Sequence, residues 1–263
     1  MKSSKGFSIP ELLLVCGLFS AFSVVAYYLL ALGLGLWSRV ESSQDVSEQL
    51  LKARDMLLTD LSETSINELI VSRFSNSSDT FQAGDVLCLL SPQDPIRKEV
   101  GRRGDGTAYW QRNLLYYSVV PSDHDELFPV GCAGRYATCP HKFLIRRILD
   151  TGPVTRYRSA LADVERLLPV TSLEGELLVP EDFHSDLRSP ESGRTALVAS
   201  GILDFSVRLA PPDGLPGEVE VTLKGFDVRE AGKKVNFRET DLETSPYTHT
   251  VKFSVFPRNT EES

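Results

Sequence analysis

Residues 12–38 carry no charge, 27 consecutive positions that end at Ser38 just before Arg39. As an α-helix rising about 1.5 Å per residue, the run reaches roughly 40 Å and crosses a bilayer with some tilt. Core helices seldom need so long an uncharged run. A secretory signal has a shorter apolar stretch, followed by small residues at a cleavage site. Here Trp37 and Arg39 close the run, an aromatic and a charge of the kind that sits at a membrane interface. The reading is a transmembrane helix. Lys2 and Lys5 precede it with no acid before Glu11, so the positive-inside rule predicts a cytoplasmic N-terminus and an external remainder.

Composition narrows the remainder. With 41% hydrophobic and 24% charged residues the chain is not wholly disordered. Its 36 Asp+Glu outnumber its 28 Lys+Arg, a net charge of −8, which argues against general nucleic-acid binding. Four cysteines in 263 residues are too few for a disulfide-dense scaffold.

Glu11 is the anomaly at the membrane edge, where a carboxylate is costly unless it is paired or reaches the headgroups. Its setting is the string Lys5-Gly6-Phe7-Ser8-Ile9-Pro10-Glu11-Leu12-Leu13-Leu14-Val15. This resembles the cleavage and methylation signature of type IV prepilin-like proteins: a short basic leader ending in Gly, then Phe, a Glu at the fifth mature position, and an apolar helix. The resemblance implies a leader of residues 1–6, cleaved between Gly6 and Phe7 by a prepilin peptidase, with N-methylation of Phe7. It also implies that Glu11 attracts the Phe7 amine of a neighbouring subunit during assembly, two costly charges becoming cheap once paired. Pro10 falls in the first helical turn, where its missing N–H breaks no bond. Major pilins often carry a further proline in the membrane segment, but none occurs here between Pro10 and Pro92. That absence and the chain's length point to a minor component.

Past Ser38 the pattern becomes amphipathic. Val46, Leu50, Leu57 and Leu61 recur at helical spacing, with Ala53 filling the gap and Leu51 and Leu58 widening the stripe. The expected organisation is a leader at 1–6, a transmembrane helix at 7–38, its amphipathic continuation at 39–63 and a β-rich external head at 64–263. In the head, 68–74, 85–90, 109–120 and 142–149 read as strands, the last two able to pair. Leu203, Phe205, Val207 and Leu209 alternate with polar residues, as do Val219, Val221 and Leu223, and again Val251, Phe253 and Val255. Such period-two runs predict antiparallel strands with one buried face. Pro211-Pro212-Asp213-Gly214 is a turn between the first two, and 227–247 is expected to be a long exposed loop or irregular hairpin. The predicted fold class is α+β: a long N-terminal helix packed on a mainly antiparallel head, pilin-like. Trp110-Gln111-Arg112, Leu115-Tyr116-Tyr117, Leu144-Ile145-Arg146-Arg147 and the terminal Arg258-Asn259 resemble strings in W-type minor pilins and J-type pseudopilins of type II secretion.

Cys16 falls in the membrane helix as a small apolar residue. Cys88, Cys132 and Cys139 lie outside, in an oxidising compartment on this topology. Cys132 and Cys139 bracket a short loop and are the expected disulfide, with Cys88 a competing partner. The same loop with His141 and His124 admits a metal reading, but no close Cys-x-x-Cys pair supports it, and no metal site is expected. Glu181, Asp182 and Asp186 lack EF-hand spacing and read as a solvated charge cluster rather than a calcium loop. The three glycines of 101–106 lack a following Lys-Ser/Thr, and Arg103-Gly104-Asp105 is a tripeptide common by chance. No nucleophile elbow or zinc-protease motif occurs, so neither catalysis nor a cofactor is expected.

The resemblance thus implies a non-catalytic minor pilin or pseudopilin that primes or caps a pilus-like filament near its tip. Implied partners are other minor pilins or pseudopilins, a major pilin, the prepilin peptidase, the inner-membrane assembly platform and the lipid bilayer, without direct nucleic acid. Service to type II secretion or to competence DNA uptake is the alternative within that class. A membrane-anchored periplasmic enzyme or binding domain, or an adhesive tip protein using loops 97–107 or 183–195, is the alternative outside it.

Overall fold

A computed structural model of the chain describes residues 8–74, 82–93, 99–102, 104, 106, 108, 110, 112–121, 124, 138–148, 195–211, 214–228 and 242–258. One helix, α1, runs from Ile9 to Glu63 without a break. Contacts divide the chain into two units, Met1–Gln44 and Asp45–Ser263, so α1 contributes to both.

In the first unit the apolar side chains of α1 stand bare, for example Leu13 at 68% and Phe22 at 71% exposure. The segment is long and apolar enough to cross a membrane. Its backbone polar groups are satisfied within the helix, which lipid requires. Ser20, a polar residue inside the run, donates its Oγ–H to the Cys16 carbonyl at 2.8 Å and so needs no partner elsewhere.

In the second unit, residues 45–63 of α1 lie on a seven-stranded antiparallel sheet: β1 Leu69–Phe74, β2 Gln82–Ser91, β3 Arg112–Val119, β4 Lys142–Ile148, β5 Thr195–Leu209, β6 Val219–Phe226 and β7 Thr248–Val255. Each strand pairs with its neighbour in sequence, so the sheet is a simple meander. The architecture is α+β with a long N-terminal helix, as expected. Leu50, Ala53, Leu57 and Leu61 are all buried, and every strand adds side chains to the core beneath them, including Leu69, Leu87, Leu114, Leu144, Phe205, Val221 and Val255. Burying a leucine fully contributes about 1.5–3 kcal/mol, so this stripe is the main bond between helix and sheet. Leu51 departs from expectation at 47% exposure. One residue on from Leu50 it points about 100° away around the helix, off the stripe.

The sheet curls at β5, the longest strand. Its first half pairs with β4 through Ile202, and its second half pairs with β6 from Ile202 onward. Register shifts lie on both sides of Ile202, and Gly201 there adopts φ +70°, a left-handed conformation that L side chains rarely take. The bulge corrects the expected alternation. Ile202 and Phe205 both face the helix-side core, whereas Leu203 packs with Phe226 and Leu242 in a separate cluster. One extra residue flips every side chain upstream to the other face, so Leu203 and Phe205 cannot share one. Leu209, at the strand end, is 38% exposed. Curling also brings β2 to β5, strands that are not ladder partners. Asp85, at a second bulge between Gln82 and Val86, accepts a hydrogen bond from the Val207 amide at 2.8 Å.

Gly225 on β6 lies where α1 comes closest. A Cβ there would sit 2.9 Å from Val46 Cγ1 and 3.1 Å from Leu50 Cδ1, so the helix seats against bare backbone. The 227–247 segment closes as an irregular hairpin at its described ends: Asp227 N donates to the Tyr247 carbonyl at 2.9 Å, and Asp227 and Leu242 are buried rather than exposed. The 211–214 turn is present, with Gly214 N donating to the Pro211 carbonyl at 2.9 Å.

Candidate functional site

Gly6 and Phe7 lie outside the described residues, as do the acidic loop at Glu181, Asp182 and Asp186, and Arg103 and Asp105 of the tripeptide. What is visible of the processing segment begins at Ser8. Leu12 N donates to the Ser8 carbonyl at 3.1 Å, the first bond of α1, which makes Ser8 the N-cap. Glu11, three residues on, accepts from both Ser8 N and Ser8 Oγ at 2.9 Å. This is half of a capping box, with the carboxylate turned back onto the helix start. It also places negative charge at the positive end of the helix dipole. Glu11 therefore has a local partner in the isolated chain, a role that the Ser-x-x-Glu spacing of residues 8–11 signals and that the expectation of headgroup or intersubunit pairing did not include.

The head contains a buried polar network that went unrecognised in the sequence. Arg146 on β4 grips Asp60 of α1 with both ends of its guanidinium, Nε to Oδ2 at 2.6 Å and Nη2 to Oδ1 at 3.2 Å. Tyr116 on β3 donates its hydroxyl to Asp60 Oδ2 and accepts from Arg146 Nε at 3.1 Å. Burial first, and the Asp60 charge second, push the Tyr116 hydroxyl well above the usual tyrosine range. Both Asp60 oxygens are thus engaged, which makes the carboxylate an anchor between helix and sheet rather than a base. A second tether joins α1 to the β5 bulge, where Ser200 donates both its amide and its hydroxyl to Gln49 Oε1 at 2.7 Å.

At the end of the β3–β4 hairpin the chain assembles His124, Cys139 and His141. A turn after β3 has His124 N donating to the Pro121 carbonyl at 3.1 Å, and His141 immediately precedes β4. Pairing of Val119 with Phe143 brings the two flanks to the same end of the sheet. Burial, then the neighbouring His124, hold His141 down at about 4, so its ring is neutral near pH 7. Next to it Lys142 is fully enclosed, and burial pulls it to about 8 against the opposing charge of Asp204. Cys139 is disulfide-bonded, and Cys132, its expected partner, lies outside the described residues. The competing Cys88 keeps its thiol, buried and donating to Asn113 Oδ1 at 3.9 Å. Cys139-Pro140-His141 at the mouth of β4, facing a histidine just past β3, was the available signal for this grouping.

On the face of β5 and β6 a groove of about 530 Å³ is lined by Asp85, Asp204, Arg208, Glu220 and Lys224 among others. Its charges are of mixed sign and partly paired across strands, as in Lys252 to Glu220 at 2.7 Å. Nothing there singles out one ligand.

No protein-family model, no curated protein and no solved structure matches this chain.

Proposed function

We propose that the chain is a minor pilin or pseudopilin, a non-catalytic subunit that primes or caps assembly of a type IV pilus-like filament. The observation that carries this reading is the string from Lys5 to Val15, with Gly6-Phe7 and Glu11 set at the mouth of an uncharged helix. The α+β head built on the same helix supports it. On this reading Leu12 and the residues up to Trp37 hold the subunit in the inner membrane, with the N-terminus cytoplasmic and the head periplasmic. Prepilin peptidase cuts after Gly6 and Phe7 is methylated.

Assembly then sets a choice for Glu11. In the isolated chain it caps its own helix through Ser8. In a filament the Phe7 amine of a neighbour competes for the same carboxylate, and a full ion pair in lipid outweighs two neutral donors. Partners are other minor subunits, a major pilin and the assembly platform. Whether the filament serves a pilus, type II secretion or DNA uptake depends on those partners.

N-terminal peptide mass spectrometry on the chain from its native membrane tests the reading. A mature terminus at N-methyl-Phe7 supports it. An unprocessed Met1 terminus, in a strain with active prepilin peptidase, overturns it and leaves a membrane-anchored periplasmic domain. Glu11→Ala is expected to lose filament assembly or secretion while the head stays folded.

A further inference from the structure

His124, Cys139 and His141 are all buried, and their ligand atoms lie within 4.8 Å of one another. His124 Nε2 and His141 Nδ1 are 2.8 Å apart, and Cys139 Sγ is 3.5 Å from the first and 3.8 Å from the second. A tetrahedral zinc ion, with Zn–N of about 2.0–2.1 Å and Zn–S of about 2.3 Å, sets its nitrogens roughly 3.3 Å apart and each roughly 3.5 Å from the sulfur. The triangle is already near that size, and only the two rings must part, by about half an ångström. Two imidazoles and a thiolate are also the donor types that a zinc-type cation prefers.

We propose that these three side chains form a binding site for a zinc-type divalent cation, open only when the Cys139 disulfide is reduced. A disulfide sulfur carries no charge and is a poor ligand, whereas a thiolate binds zinc strongly. In the oxidised chain Cys139 is committed to its covalent bond and the two rings keep their mutual hydrogen bond. Reduction by a dithiol breaks the S–S bond, forms two thiols in the chain and leaves the dithiol as a disulfide. Metal binding then releases the Cys139 thiol proton to solvent. The ring that donated the hydrogen bond moves its proton to its other nitrogen, so both nitrogens facing the ion become lone-pair donors. A fourth position is left for water or an external donor, the usual arrangement when the protein supplies three ligands. Metal and disulfide therefore exclude one another at this end of the β3–β4 hairpin. The site lies in the head and holds whether or not the chain is cut after Gly6.

The test uses the full chain in detergent micelles, with Co2+ as the spectroscopic stand-in for Zn2+. A phosphine reductant, which consumes one water and leaves as its oxide, opens the disulfide. The reduced chain is expected to bind one equivalent of Co2+ with thiolate-to-cobalt absorption and tetrahedral d–d bands, both displaced by Zn2+, while the untreated chain shows neither. Cys88→Ser and Cys16→Ser keep the bands, and His124→Gln and Cys139→Ser lose them. Because Cys139→Ser also removes a disulfide, thermal unfolding of the reduced wild-type chain gives a second readout: its Tm rises with added Zn2+, and that of the untreated chain does not. Absence of the bands in the reduced wild-type chain, or their survival in His124→Gln and Cys139→Ser, overturns the proposal and leaves a histidine pair joined by a plain hydrogen bond.

Discussion

Leu29 and Leu57 sit on one unbroken helix, yet the first is 65% exposed and the second is wholly buried. The upstream stretch is apolar on every side and presents no stripe to a protein partner. The downstream stretch confines its buried leucines to one side and turns Asp55 outward. Helical hydrogen bonding is indifferent to this change, because each stretch closes its own backbone bonds. What differs is what covers them: the first stretch is bare and apolar enough to cross a membrane, and the second has a sheet on one side and solvent on the other. One secondary-structure element therefore carries two patterns, and the sequence period changes where burial against the sheet begins.

The contrast can be broken hardest at Asp60. Asp60→Ala leaves the half-buried Arg146 guanidinium and the buried Tyr116 hydroxyl without their carboxylate, and is expected to cost about 3–5 kcal/mol in denaturant unfolding of the micelle-bound chain. Replacing the pair together, Asp60→Leu with Arg146→Met, is expected to recover most of that loss. Next comes one substitution made at both ends of the helix. Leu57→Ala is expected to destabilise the head by about 2–5 kcal/mol, whereas Leu29→Ala leaves head unfolding unchanged within about 0.5 kcal/mol. Equal effects would show that the two stretches are not energetically separate. Conversely, Leu29→Arg is expected to oppose membrane insertion by about 2.5–3.5 kcal/mol, read by membrane fractionation.

Gly225→Ala is a smaller test. The added Cβ meets Val46 and Leu50, and the forced shift of the helix is expected to cost about 1–3 kcal/mol. Combining it with Val46→Ala should return part of the loss if the contact is the cause. The smallest effect is expected for Tyr116→Phe, about 1 kcal/mol at neutral pH, since Arg146 still holds Asp60. Its signature is the pH profile. Unfolded tyrosine ionises near about 10, while native Tyr116, facing Asp60 and Arg146, holds its proton to higher pH. The native state then binds more protons than the unfolded one, so the Tyr116 contribution is complete below about pH 10 and lost as pH rises beyond it. In Tyr116→Phe that alkaline loss should shrink, as measured by unfolding at pH 9 and pH 11.

The features legible in the sequence were those written as local periods. An uncharged run, a stripe at Leu50, Ala53, Leu57 and Leu61, and alternation at Val219, Val221 and Leu223 each follow from one element meeting one surface. The exceptions came from departures in register or from distance along the chain. Leu203 read as a partner of Phe205 because a bulge at Gly201–Ile202 leaves no mark on hydrophobic alternation. Asp60 and Arg146 gave no sign of their pairing, for nothing local says that a helix residue and a β4 residue will meet. His124 and His141 were weighed and set aside because metal signatures rely on close spacing, whereas here a hairpin supplies the proximity.

The meander of β1 to β7 has a consequence for how the head reaches its native state. Strands that pair with their sequence neighbours need no crossover, and the chain entropy lost in closing each junction grows with its length. One junction is the longest: 46 residues separate the end of β4 at Ile148 from the start of β5 at Thr195, against 7 to 22 at the other five. The sheet is therefore expected to form as two halves, β1–β4 and β5–β7, whose docking across the longest junction is the slowest step. The Asp85 bond to Val207 spans both halves and cannot form before they meet. A refolding experiment should show two phases, with Asp85→Ala slowing only the later one if that bond is already made in its transition state.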